Sequence, residues 1–138
     1  MDLAEAAAAF RALADRVEGS LAVDCARAMA DVALAQLRIV TPVASGDLRD
    51  SERVNAVTGN GTYAVATLGP HIVYDEFRNF GGTITSKGPW PLRNRETGQV
   101  FGRSVTQEGA HYMEKGEDAA RGPCHEAAER VAAFIFTL

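Results

Sequence analysis

Apolar side chains return at alternating steps of three and four along residues 3–18, at Leu3, Ala6, Phe10, Leu13 and Val17. Asp2, Glu5, Arg11, Asp15, Arg16 and Glu18 fall largely elsewhere on the wheel, so the spacing predicts an amphipathic helix rich in good helix formers. Gly19 ends it and Ser20 is placed to cap the next. Residues 21–40 predict a longer helix, with Ala22, Ala26, Met29, Ala33, Leu37 and Val40 on one stripe and Asp24, Arg27, Asp31 and Arg38 opposite. Leu34 lies among those charges, either as an ordinary exposed leucine or as a contact for a partner. Thr41-Pro42 stops the helix.

Residues 41–51 read as a loop with turn chemistry at Ser45-Gly46-Asp47, anchored by Val43 and Leu48. Arg53–Val57 and Thr62–Leu68 flank an Asn-Gly pair, a hairpin signal. In the second run Ala64, Ala66 and Leu68 share one face, and Tyr63, Val65 and Thr67 the other. The stretch 72–84 reads as the hinge of the fold. A strand, Ile72-Val73-Tyr74, passes through a polar turn, Asp75 to Asn79, and reaches Phe80-Gly81-Gly82 before a strand restarts at Thr83-Ile84. Phe80 is expected in the core, and the glycine pair allows positive φ or a close backbone approach. A second hairpin, Trp90–Arg95 with Val100–Val105, follows Gly88-Pro89-Trp90-Pro91, whose prolines put it at a sheet edge. Past Gly109 a short, broken helical segment carries Tyr112, Met113 and Ala119, and Gly122-Pro123 opens a final helix. Its stripe is Ala127, Ala128, Val131, Phe134, Ile135 and Leu138, with Phe136 off it, a second candidate for an outward contact.

The order of elements predicts a single α+β domain over residues 1–138, an antiparallel sheet of hairpins packed against a long N-terminal amphipathic helix and a C-terminal helix. Within it residues 1–19 form an N-terminal helix and 84–108 an extended hairpin arm. Composition leaves this picture unchanged: 46% hydrophobic and 23% charged residues are ordinary for a globular chain. No window approaches the length of a membrane-spanning helix, and the acidic start Met1-Asp2-Leu3-Ala4-Glu5 is unlike a secretory signal, so the expected compartment is the cytosol or something assembled there. Cys25 and Cys124, each in an alanine-rich helical context, are expected as small buried thiols rather than a disulfide.

Charge does change the picture. Arg78, Lys87, Arg93, Arg95 and Arg103 against Glu96 give residues 77–103 a net +4, while the whole chain carries −4. The remainder therefore carries −8, and a basic hairpin sits on an acidic body. Arg93 and Arg95 alternate onto one face, where Arg103 can join them across the ladder. That face is a solvated strand surface, a contact for a phosphate backbone, or a dock for acidic residues of a neighbouring subunit.

The sequence offers little for catalysis. His71, His111 and His125 have no second ligand at metal spacing, and Cys124 and His125 point about 100° apart on a helix. Asp75-Glu76 reads as a solvated turn. Ser45 follows a helix and lacks the outer glycine of a nucleophile elbow, and Gly59, Gly61 and Gly69 precede neither a lysine nor a helix. No enzymatic activity, cofactor or metal is expected.

The motif order carries a resemblance. A long helix running into Thr41-Pro42-Val43-Ala44-Ser45-Gly46-Asp47-Leu48-Arg49-Asp50-Ser51 resembles the Thr-Pro-Val to Ser segment of a tailed-bacteriophage family of neck, tail-completion and virion-morphogenesis proteins. Tyr74, Glu76, Phe80, Gly81, Gly82, Thr83 and Ile84 look like that family's next landmark, and Leu92, Gly98, Val100, Phe101 and Val105 like its glycine-turn hairpin. Tyr112-Met113 and residues 123–138 are similar to its C-terminal part, with Gly109-Ala110-His111 where the family more often has proline and arginine, and Asp75 where it has alanine. The resemblance spans residues 21–138. It implies a structural virion protein, assembled in the host cytoplasm, that forms a homo-oligomeric ring, usually a hexamer, at the head–tail junction. Its implied partners are copies of itself, the head-closure connector, the tail-tube or tail-terminator protein, and double-stranded DNA passing through the lumen. A tail-terminator ring is the alternative within the family, and a nucleic-acid-binding module using the basic hairpin the alternative of another class. The resemblance further implies fold-defining roles for Pro42, Gly46, Leu48, Tyr74, Phe80, Gly81 and Gly82. It gives Leu34, Trp90, Phe101 and Phe136 subunit contacts, and it turns Arg93, Arg95 and Arg103 toward the lumen or an acidic partner.

Overall fold

The computed structural model describes residues 2–72, 75–94 and 97–137. The fold is α+β, with long helices at both ends and antiparallel hairpins between them. Helix α1 (Leu3–Gly19) opens on a capping box: Asp2 accepts from the Glu5 amide at 2.8 Å while Glu5 accepts from the Asp2 amide at 3.0 Å. After a break at Ser20, α2 (Leu21–Val40) runs as the spine of the molecule. A short helix, α3 (Asp47–Ser51), replaces the expected loop. Gly46 makes it possible, since its φ of +93° turns the chain into the helix at a position that favours glycine. Ser45 Oγ accepts from the Asp47 amide at 3.3 Å and donates to the Asp47 carboxylate at 2.8 Å.

The first hairpin pairs β1 (Arg53–Gly59) with β2 (Ala64–Gly69). Its connection is a four-residue turn over residues 60–63, two residues later than the Thr58–Gly61 turn of the sequence reading, built on Asn60 Oδ1, which accepts from the amides of Thr62 at 2.9 Å and Tyr63 at 3.0 Å. The register skips between Val54 and Ala56, a bulge that leaves Asn55 to meet His71 with its side chain. Ala64, Ala66 and Leu68 are the half-buried face, lying over Ala26, Ala30 and Ala33 of α2, as the alternation predicts.

The central stretch differs from the sequence reading. Asp75–Phe80 closes into a helix, α4, rather than a turn. Its buried position is Asn79, and Phe80 is 64% exposed rather than in the core. The half-buried aromatic is Phe77, whose ring lies 3.4 Å from where a Cβ on Gly82 would stand. Tyr74 lies outside the described residues. From α4 the chain enters β3 (Gly81–Thr85), which pairs with β6 (Ser104–Glu108), and between them β4 (Leu92–Arg93) pairs with β5 (Val100–Gly102). Val105 thus belongs to the outer ladder, opposite Ile84, and not to the inner hairpin. Among the described residues the strands make three separate two-stranded ladders rather than one sheet.

The last helix, α5 (Tyr112–Ile135), is continuous where a broken segment and a new start at Pro123 were expected. Pro123 sits inside it and removes one backbone donor from the ladder. Packing on α2 outweighs that loss, with Ala120 and Ala127 buried and Gly116 lying so close to Leu37 that a Cβ would come within 2.9 Å of its Cδ1. The core is small: Leu37, Leu48 and Tyr112 at its centre, with Val40, Leu68, Ile72, Ala110 and Met113 against them.

Candidate functional site

The arm of residues 81–108 is the first candidate surface. Its root is held by α4 and α5 together. Asn79, 3% exposed, accepts from the Met113 amide on Oδ1 at 3.0 Å, its Nδ2 donates to Glu114 Oε1 at 3.5 Å, and its carbonyl accepts from the His111 amide at 2.9 Å. His111, at the start of α5 with φ +50°, makes no side-chain cap, so Asn79 caps α5 from the preceding helix. Gly81 has φ +78° and so little room that a Cβ would lie 2.5 Å from Gln107 O and from Gly109 N. The glycine pair stands where α4 gives way to β3.

Farther out, Ser86 binds the strap of Gly88-Pro89-Trp90, its amide donating to Arg103 O at 2.7 Å and its hydroxyl reaching Trp90 O at 2.6 Å and Gly88 O at 3.1 Å. Trp90 is 76% exposed, and Phe101, Val100 and Ile84 are exposed beside it in the arm. Arg93 is exposed opposite Val100. Arg103 lies beyond the end of β5, and its guanidinium donates to Gly88 O at 3.2 Å, so it braces the strap instead of joining Arg93 across the inner ladder. Arg95 lies outside the described residues.

The second surface is apolar. Leu3 is 88% and Phe10 66% exposed, and α1 buries no residue at all. At its end Gly61 of the first turn lies against Glu18 so tightly that a Cβ would overlap Glu18 O. Phe134 and Phe136 are exposed at the other terminus. Leu34, by contrast, is half-buried, and its place among the charges of α2 does not leave it free on the surface. An open trough of about 510 Å³ lies where α2, α5 and β2 converge. It is floored by Ala33, Leu37, Leu68, Gly116, Ala120 and Cys124. A shallower one of about 250 Å³ continues it along Ala64 and Ala66.

These uncovered surfaces add up. The chain exposes 9442 Å², whereas a compact monomer of 14.7 kDa exposes roughly 6,900 Å², an excess of roughly 2,500 Å². A standard interface removes about 800 Å² from each partner.

The polar groups that chemistry would need are engaged locally. His71 meets Asn55, His125 pairs with Glu129 at 3.0 Å, and His111 lies 3.9 Å from Glu114. Both thiols are free, donating to main-chain carbonyls, Cys25 to Ala128 O at 3.8 Å and Cys124 to Met29 O at 3.3 Å, and burial pushes both thiol pKa values up. They are half-buried cysteines bridging α2 and α5, with no disulfide between them. Among the described residues no group of three or more His, Cys, Asp or Glu could hold a metal ion, and no helix is long and apolar enough to cross a membrane.

One buried polar cluster had no signal in the sequence. Glu52, fully buried, meets Thr41 Oγ1 with one carboxylate oxygen and leaves the other without a partner, while its carbonyl accepts from Arg38 Nη2 at 2.7 Å. Burial is the main cause of a raised Glu52 pKa, and Thr41, Arg38 and Arg49 only partly offset it. Tyr112 is equally buried and its hydroxyl is also unpartnered; burial, then Asp75 and Glu52, push its pKa up to about 12. The cluster joins the end of α2, the end of α3 and the start of α5 behind the core.

No family model and no curated protein matches this sequence, and no solved structure matches this fold, so what the surfaces do is argued from the chain's own residues.

Proposed function

We propose that this chain is a structural virion protein of a tailed bacteriophage, a subunit that assembles with copies of itself into a ring at the head–tail junction and performs no catalysis. The motif order from Thr41 to Ile84 supports the family reading, and the uncovered apolar surface carries the assembly reading. A subunit with roughly 2,500 Å² more surface than a compact monomer has enough to cover two neighbour contacts of standard size. Contacts that repeat head to tail and close by rotation give a ring. The basic arm of an otherwise acidic chain supplies opposite charges for such contacts.

Native mass spectrometry of the purified chain tests this, with a discrete multiple of 14.7 kDa as the expected result. A monomer at all concentrations, or a chain that turns over a small molecule, removes the reading. Imaging of a particle junction with this chain traced in it separates a neck ring from a tail-terminator ring. A second reading, nucleic-acid binding through the arm, is favoured by the exposed Lys87 and Arg93. It requires binding to duplex DNA whose log affinity falls linearly with the logarithm of salt concentration, with a slope set by the phosphates neutralised. Salt-insensitive or absent binding removes it.

A further inference from the structure

Two uncovered apolar features of the same chain match each other in kind. Helix α1 carries Leu3, Ala6, Phe10 and Leu13 along one stripe, with Leu3 and Phe10 exposed and Ala6 and Leu13 half-buried. The trough between α2, α5 and β2 is an open apolar channel whose floor is mostly small side chains, which lets a helix approach closely. An amphipathic helix laid into an apolar groove is a recurring mode of recognition, read through anchors at helical spacing. An alanine-rich helix of 17 residues with no buried side chain is marginal by itself, so the exposed end of its apolar stripe is expected to find cover.

Resting on the reading of this chain as self-assembling, we propose that the trough of one copy is filled by α1 of a second copy, with Leu3 and Phe10 as the anchors. The surface excess is the reason for naming a second copy, since it exceeds what one standard contact removes from a partner and matches donating one helix and receiving another. The hinge is Gly19-Ser20, where α1 ends, and a Cβ on Gly19 would meet nothing within 4 Å. The arm is the less suitable occupant: its exposed apolar groups are spread over separate ladders and a proline-bounded strap, without a continuous stripe. Each copy then gives a helix to one neighbour and takes one from the other, a heterologous contact.

The test uses the full chain. Leu3→Asp with Phe10→Asp leaves the isolated fold intact, checked by circular dichroism, and is expected to collapse the native mass to the 14.7 kDa of one chain. In a Cys25→Ala background, Ala6→Cys, on the same stripe between the two anchors, is then treated with a short bis-maleimide; the expected product is a chain-to-chain cross-link to Cys124, lost in Cys124→Ser. A multimer that survives Leu3→Asp with Phe10→Asp overturns this inference and leaves the self-assembly reading standing. A cross-link within one chain overturns it in favour of α1 covering its own trough. Loss of the multimer in Trp90→Asp alone, with the α1 variant still multimeric, assigns the trough to the arm. A wild-type chain that is monomeric throughout removes both readings.

Discussion

At the scale of single residues, Tyr112 and Glu52 show a core assembled around polar atoms that have no partner. Tyr112 contributes its ring to the centre of the core and an unpaired hydroxyl to its back. Tyr112→Phe is therefore expected to hold stability or raise it by up to about 1 kcal/mol, whereas Tyr112→Ala loses about 3–5 kcal/mol; urea denaturation of both variants distinguishes the ring from the hydroxyl. Glu52 predicts a pH dependence. Its folded pKa is raised, so its contribution to stability is fully present below the ordinary carboxylate range and is lost as pH rises through the raised value. Glu52→Gln, which cannot ionise, should gain on the wild type steadily across that rise; an unfolding midpoint difference that stays constant with pH would contradict it. Neither residue announces itself in the sequence. A glutamate before a strand reads as solvated, and only the closing of 41–52 onto α2 through Arg38 and Thr41 takes it out of water.

At the scale of elements, periodicity made α1, α2 and the face of β2 legible, because each depends on local spacing alone. What could not be read depended on partners distant in the chain. Pro123 looked like a helix start, yet α5 runs through it because Gly116, Ala120 and Ala127 pack on α2. Phe80 looked like a core aromatic, yet α4 ends there and turns Asn79 inward in its place. Arg103 was expected to join Arg93 across the ladder, but it lies between the end of β5 and the start of β6, where the chain crosses from the inner to the outer ladder. Two glycine and cap positions test this account. Gly81→Ala puts a side chain at positive φ against the backbone of β6 and should cost roughly 1–3 kcal/mol, read by thermal unfolding. Asn79→Ala removes a buried cap and should cost roughly 1–2 kcal/mol, with faster amide exchange confined at first to the start of α5.

At the scale of the whole molecule, a small core and a large apolar surface are two descriptions of one condition. The Arg49–Asp50, Arg121–Glu117 and Arg121–Asp118 ion pairs are exposed and contribute little, so they do not substitute for core. If the proposed assembly role holds, Arg93→Glu with Arg95→Glu should leave the fold intact while impairing assembly or DNA passage, measured as particle yield and infectivity; unaltered particles would exclude a role for the pair. One connection described above also has a mechanical meaning. Because Asn79, in the last turn of α4, also caps α5 with its side chain, the root of the arm is not a slack tether. A pull on the tip is delivered into α5 and its partner α2, so whatever grips the arm also loads the helical spine.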